Sequence, residues 1–344
     1  WVANAAGAWV DEAPFAEGSS GAIAADKLAA LAQHDAAGFV HNLKALAPTE
    51  TAVVQNTVTE QNSILFKTVD SYLRNKQIGL LSSDEFSDVT AWGNPYLSDT
   101  KMRTRQNIDG SNSNSRGIIF GLEKELDRAY KFGAGLQIDR TDVDIMSRDI
   151  DINSVTGFVY GEYKPCRQFI NGIISYGQSN YKEKKYALDD TYNARYDVWV
   201  ASVASMAGYQ FEYFTPEAGF RYYHIKRDRY TDSAAQKVSA DNADILRGVI
   251  SLRFAREIYD IRAEAYLGLT YDFMADKNNT HVYLSNGSGY VVDGDKLRRL
   301  GYETSLSFAK SLTENISAAV SYMGTYRSGY QEHTGMLSLR YAFE

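Results

Sequence analysis

The chain has 344 residues, 36 basic and 43 acidic side chains, a net charge of −7 and a hydrophobic content of 44%. No stretch reaches the roughly 18 to 20 apolar residues of a membrane-spanning helix, and mild acidity with interspersed Lys and Arg leaves no footprint for nucleic acid. A mean hydropathy of −0.37 is compatible with a transmembrane barrel, whose strands wet every second residue.

Cys166 is the single cysteine, which excludes an intrachain disulfide and suits passage through an oxidising space. The chain opens at Trp1 without an initiator Met and is read as a mature or excised segment. Its 25 tyrosines are amphipathic side chains of the kind that gather at membrane interfaces, although a Tyr-rich soluble sheet would carry them too.

Residues 1–48 are rich in Ala and Gly, with a flexible turn expected at Glu17-Gly18-Ser19-Ser20-Gly21 and a helix over Ala25 to Ala45. Pro48 starts a new element. From Thr49 to Asn75 there is no Gly or Pro, and Val54, Val58, Leu65, Val69 and Leu73 recur at near-helical spacing. That spacing predicts a helix of roughly 27 residues, about 40 Å long. Its other faces carry Thr, Asn, Gln and Ser and few charges before Lys67. Such a surface suits a wet, confined place; an ordinary amphipathic surface helix is the alternative.

From Phe86 the period becomes two. About twelve strands are expected, centred near residues 93, 119, 135, 158, 174, 202, 220, 249, 266, 304, 320 and 338. Over Ile261 to Phe273, Ile261, Ala263, Ala265, Leu267, Leu269, Tyr271 and Phe273 face one way, opposite Arg262, Glu264, Thr270 and Asp272. The last strand alternates Leu337, Leu339, Tyr341 and Phe343 with Met336, Ser338, Arg340 and Ala342. Tight connections at 126–128, 164–167, 212–214, 256–259 and 310–315 alternate with long polar ones near 104–114, 142–153, 181–194, 227–242, 275–296 and 326–332. An up-and-down barrel with short periplasmic turns and long external loops produces that rhythm; a Greek-key sandwich does not. The expected fold is therefore all-β, a twelve-stranded antiparallel up-and-down transmembrane barrel with an N-terminal α-helix threaded through the pore. An even strand count puts both barrel ends on the short-turn side, so a helix tied to the first strand reaches the outside only through the lumen.

Ala45-Leu46-Ala47-Pro48 leading a helix, Gly117-Ile118-Ile119-Phe120-Gly121-Leu122-Glu123, Phe132-Gly133-Ala134-Gly135-Leu136, Pro216-Glu217-Ala218-Gly219-Phe220-Arg221-Tyr222 and Leu269-Thr270-Tyr271-Asp272-Phe273 stand in this order. With the ending Gly329-Tyr330-Gln331-Glu332-His333-Thr334-Gly335 and Ser338-Leu339-Arg340-Tyr341-Ala342-Phe343, the chain resembles the C-terminal translocator β-domain of a type V autotransporter over residues 43–344. Ser338, where Gly is common in that family, and Glu344 after the terminal aromatic are departures.

The resemblance implies a bacterial outer-membrane anchor that exports or displays an N-terminal passenger at the cell surface. Residues 1–48 would be passenger tail and linker, 49–85 pore helix and connection, and 86–344 the barrel. It also implies outer-membrane lipid, periplasmic chaperones and the barrel-assembly machinery as partners, a monomeric state, and an assembly signal in Leu339, Tyr341 and Phe343. A porin or small-solute channel plugged by the helix is the alternative function, and an outer-membrane enzyme a third.

Chemistry for a third class is sparse. His34, His41, His224, His281 and His333 lack metal-ligand spacing, and no phosphate loop, nucleophile elbow or Cys-x-x-Cys occurs, so no metal or cofactor is expected. Gly133-Ala134-Gly135 is read as close packing in a barrel wall. Glu217, Arg221, Arg253, Arg262, Glu264, Asp272, Glu303 and Arg340 are expected to line the lumen as a structural charge network rather than an acid/base pair. Some autotransporters cut their own pore helix at an Asn-Asn pair. Here Asn56 precedes Thr57 and Asn62 precedes Ser63, so Asn56 and Asn62 are weak candidates for self-cleavage.

Overall fold

The computed structural model describes residues 1–11, 14–49, 51–75, 89–104, 109–126, 129–276, 279–294 and 298–343. Four helical segments come first: α1 (Val2–Ala6), running on as a π turn over Gly7–Asp11, α2 (Ser20–His34), α3 (Ala36–Leu46) and α4 (Thr51–Asn75). One helix was expected near Ala25 to Ala45, and two form. Asp35 leaves the helical region at φ −146° and its carboxylate accepts from the Gly38 amide at 2.9 Å, so one short acid ends α2 and caps α3. Ser19 caps α2 in the same way through the Ala22 amide.

The strands are β1 (Val89–Met102), β2 (Ser111–Glu125), β3 (Tyr130–Ile145), β4 (Arg148–Tyr163), β5 (Gln168–Ala187), β6 (Asp190–Tyr209), β7 (Phe214–Arg227), β8 (Tyr230–Thr231), β9 (Lys237–Val238), β10 (Asp241–Ile258), β11 (Ile261–Ala275), β12 (Thr280–Tyr283), β13 (Gly289–Val292), β14 (Leu300–Ser311), β15 (Ile316–Arg327) and β16 (Tyr330–Ala342). Twelve of them close into a barrel in sequence order, each antiparallel to the next, with β16 returning to β1. The four short strands β8, β9, β12 and β13 form a separate sheet built from the two longest connections. The closing seam runs from Thr90 opposite Ala342 to Met102 opposite Tyr330 and lapses at Asn94 and Pro95, where proline has no N–H to give.

The alternation read from the sequence sets which face meets lipid. Ile250, Leu252, Leu267, Leu269, Phe308 and Val320 all point outward and are 41–62% exposed, as a barrel in hydrocarbon requires. Stacked aromatic pairs mark both rims of the belt, Tyr130 with Tyr163 beside the short turns and Tyr176 with Trp199 at the other end. Gly133 and Gly135 sit directly beneath lumen aromatics of β4. A β-carbon on Gly133 would strike the Tyr160 ring, and one on Gly135 would strike the Phe120 carbonyl and the Phe158 ring.

Three connections expected to be long loops are not loops. Residues 142–153 and 181–194 continue the β3–β4 and β5–β6 ladders to turns at Met146–Ser147 and Leu188–Asp189, and 326–332 closes at Ser328–Gly329. Above the lipid belt the outward face meets water, so Asp142, Asp144, Lys182 and Lys184 occupy it. The inward alternation persists in Val143, Ile150, Tyr181 and Lys185. Polarity on both faces disguised strand as loop. The expected turn at 126–128, the start of strand one at Phe86 and Glu344 fall wholly or partly outside the described residues.

Candidate functional site

The site is the lumen and the helix that fills it. Helix α4 enters at the outer mouth, where the Asn56 carboxamide meets Met102 at 3.1 Å. It ends near the short-turn rim, where Arg74 pairs with Glu162 and stacks 3.5 Å over the Phe169 ring. A 25-residue helix extends about 37 Å, enough to cross the hydrocarbon core and reach both interfaces. Its apolar side chains pack on wall aromatics, Phe66 on Tyr223 at 5.9 Å and Tyr72 on Trp92 at 4.9 Å.

One turn of α4, Glu60 to Ser63, is matched to the wall residue by residue. Glu60 accepts from Thr100 at 2.7 Å and Ser98 at 3.2 Å, on β1. Gln61 donates to Asp139 and Thr141 on β3. The Asn62 carbonyl oxygen accepts from Ser175 at 3.0 Å and Ser202 at 2.9 Å, on β5 and β6. Ser63 accepts from Arg221 on β7 at 3.1 Å. Successive helix residues point about 100° apart, so these four neighbours in sequence address the wall in turn from β1 to β7. On the opposite side, Ser305, Ser307, Ala309, Ser317 and Ala319 face the helix across a cavity of about 80 Å³, room for ordered water.

The charges expected in the lumen are brought there, and most are paired. Arg253 is a hub that donates to Glu264 and Asp70 at 2.5 Å each and to Glu217 at 2.9 Å. Arg221 forms a two-pronged pair with Glu303 at 2.6 and 3.1 Å. Asp272 is held between Arg247 at 2.7 Å and Arg327 at 2.6 Å. Arg262 donates to the Arg74 carbonyl at 3.4 Å, and Arg340 lies over the Tyr72 ring at 5.6 Å.

Reading the barrel sequence alone misses the helix half of these pairs: Lys67 on Thr325 and Glu332, Asp70 on Asn171 and Arg253, and Arg74 on Glu162. It also misses Arg148, Glu183 and Lys185, which are buried inside the mouth on stretches read as loop. Extending the two-residue period through 142–153 and 181–194 would have placed them inward.

The two self-cleavage candidates are committed elsewhere. The Asn62 amide nitrogen donates to the Val58 carbonyl at 3.0 Å within regular helix, and that of Asn56 to the Met102 sulfur. Leu339 and Tyr341 lie on the outer face of β16 and Phe343 continues it just past the strand end, each 43–49% exposed, with the two rings edge to face at 5.0 Å.

A closed barrel with an apolar outer belt, a polar lumen and a matched helix through it defines an outer-membrane translocator barrel of the helix-plugged kind. The autotransporter beta-domain family model matches residues 91–323, about two thirds of the chain, and the chain belongs to that family. Among curated proteins it is similar to Outer membrane protein B of Rickettsia japonica, 21% identical over 297 residues, covering 76% of this chain and 18% of that protein. It thus spans under a fifth of the length of that relative.

Among solved structures it is similar to the translocator domain of autotransporter NalP from Neisseria meningitidis. That likeness has a TM-score of 0.70 at 13% identity and covers 86% of this chain and all of the other. The beta domain of the Bordetella autotransporter BrkA gives 0.56 at 15% identity over 74% of this chain and all of the other. The transport unit of AIDA-I from Escherichia coli gives 0.51 at 13% identity over 81% of this chain and 97% of the other. At these identities the likeness is one of fold.

Proposed function

We propose that the barrel carries a passenger, joined ahead of α4, across the outer membrane and then holds it at the surface. In this reading residues 1–48 are the surface-proximal end of the passenger and linker, 49–85 the pore helix and its connection, and 86–344 the barrel, which works as a monomer. One observation carries the reading. Helix α4 runs the length of the lumen with α1–α3 at the long-loop end and both barrel termini at the short-turn end. A solute channel has no use for a helix bonded to the wall through Glu60, Gln61, Asn62, Ser63, Lys67 and Asp70. The helix therefore belongs to the path of the exported chain.

The passenger, the assembly machinery and periplasmic chaperones are the partners this reading requires. The outward Leu339, Tyr341 and Phe343 are the proposed assembly signal, and the lumen charges from Glu217 to Arg340 the proposed structural network. The barrel's own work is physical, with no reaction assigned to Asn56 or Asn62.

Topology tests it. The native Cys166 lies exposed at a short turn. A membrane-impermeant maleimide should label it only after the outer membrane is permeabilised, whereas Glu17→Cys in a Cys166→Ser background should label on intact cells. The reverse pattern overturns the reading. Deletion of residues 49–80 should in addition raise single-channel conductance in planar bilayers; unchanged conductance would place the helix outside the pore.

A further inference from the structure

We propose that the outer mouth is a docking site for the chain's own residues 1–47, centred on a socket that binds the C-terminal carbonyls of α3; this rests on the export reading. The last carbonyls of a helix have no partner within it. Here they are taken by the barrel. The Arg148 guanidinium donates to the Ala47 carbonyl at 2.8 Å and reaches those of Ala45 at 3.3 Å and Lys44 at 3.5 Å. The Leu46 carbonyl receives Lys185 at 3.2 Å and the Gln236 amide at 2.9 Å. Cations at this end also complement the helix dipole.

The cations of the socket are also anchored on the barrel side. Arg148 pairs with Glu183 at 2.7 Å across β4 and β5, and Lys185 with Asp232 of the β8–β9 connection at 3.0 Å. Gln236 also donates to Asp232, at 2.9 Å. Arg148, Lys185 and Gln236 are each at most 1% exposed. These ion pairs run from wall to wall or wall to loop and hold the cations toward the α3 end. Buried cations need acceptors, and the carbonyls at the α3 end are among those that Arg148 and Lys185 have.

Two further contacts extend the site beyond the socket. Leu188 holds a left-handed backbone, φ +57°, at the tip of the β5–β6 hairpin, a conformation that disfavours a bulky residue. Both of its peptide groups are held by the docked helices: its carbonyl accepts from Lys27 at 2.9 Å, and its amide donates to Asn42 at 2.5 Å. In the turn between β12 and β13, Ser288 donates to the Ala8 carbonyl at 2.9 Å. Between these points Trp9, Leu28, Leu43 and Leu46 share one apolar cluster with Tyr192, Val282 and Tyr290. Two packed helices stand 8–10 Å apart axis to axis and each is about 10–12 Å across with its side chains, so the pair is about 20 Å wide, wider than a lumen that one helix already fills. The cap therefore forms only outside, where it roofs the exit and fixes the turn at Ala47–Pro48 above α4.

Hydrogen exchange on the full chain in detergent tests the site. Amides of α2 and α3 should exchange at least tenfold more slowly than those of an unstructured chain. The charge-matched variant Arg148→Met/Glu183→Gln/Lys185→Met/Asp232→Asn should speed them at least tenfold and leave α4 and the barrel strands unchanged. The gel shift on heating reports that the barrel is intact; if the variant loses it, Gln236→Leu alone is compared, with the same direction expected. Equal α2–α3 rates in the folded variant, or no protection in the unaltered chain, overturn the proposal. External labelling at residue 17 is scored separately. Label without protection sinks the docking site alone, and protection without label sinks the export reading.

Discussion

Asp70→Ala should loosen the pore helix without disturbing the barrel around it. Asp70 is the point where α4 joins the Arg253 hub, accepting from Arg253 at 2.5 Å and from Asn171 at 2.8 Å. Hydrogen bonds to charged groups are worth about 1.5–3 kcal/mol each. Their loss is softened because Arg253 keeps Glu217 and Glu264, so the 3–5 kcal/mol cost of stranding a buried charge is not incurred. A weakening of helix docking by about 3 kcal/mol follows, on the order of a 150-fold rise in the undocked population. Arg253→Met should cost more, since it leaves three carboxylates facing one another.

Hydrogen exchange of α4 amides, in detergent with the barrel folded, reads the docking equilibrium directly. The double-mutant cycle with Asn171→Ala separates the two contacts. If α4 exchange is unchanged in Asp70→Ala, the helix is held by filling the lumen and not by its ionic anchor. If barrel and helix amides accelerate together, the anchor stabilises the whole fold and the reasoning about a separable plug is wrong.

Three other outcomes are expected. The protein should require detergent to stay monodisperse and should run faster on a gel when unheated, since its outward belt is apolar; a detergent-free monodisperse sample would refute the membrane reading. Tyr341→Ala/Phe343→Ala removes about 2 kcal/mol of burial per ring and should cut insertion in cells far more than stability after refolding in detergent; losses in proportion would reduce those residues to packing. Gly135→Val, whose side chain would meet the Phe120 carbonyl and the Phe158 ring, should destabilise the barrel by about 1–3 kcal/mol in thermal unfolding, while the outward Gly172→Val, whose β-carbon would meet only the Ala204 carbonyl at 4.0 Å, should be nearly silent.

Much of the wall was legible because one physical rule generates it. A strand with lipid on one side and water on the other must alternate, and Ile250, Leu252, Leu267 and Leu269 do so without a break. Legibility failed where that rule lapsed. Above the membrane both faces of β3–β6 meet polar surroundings, so Asp142 and Lys182 outside and Glu183 and Lys185 inside read together as loop. The split of α2 from α3 turned on the cap at Asp35, a local hydrogen bond that helical periodicity cannot register.

The lumen was legible as charge but not as pairing, and the reason is rotational. Glu217, Arg221, Arg253 and Glu303 reveal an inward face through strand register, which the β-ladder fixes. Nothing comparable fixes how α4 is turned about its axis, since polar residues are interleaved with apolar ones along it. The turn is set by shape and partners together. Glu60, Gln61, Asn62 and Ser63 must meet β1, β3, β5–β6 and β7 in that order. A rotation of one residue, about 100°, would bring the Ser63 position toward the strands that now meet Asn62 and leave Arg221 without its helix partner. A polar helix in a polar tube thus acquires a single orientation, because each misalignment strands a buried polar group at about 1–3 kcal/mol. The small side chains of β14 and β15, facing the helix across the cavity, let it lie against β1–β7 and make those contacts.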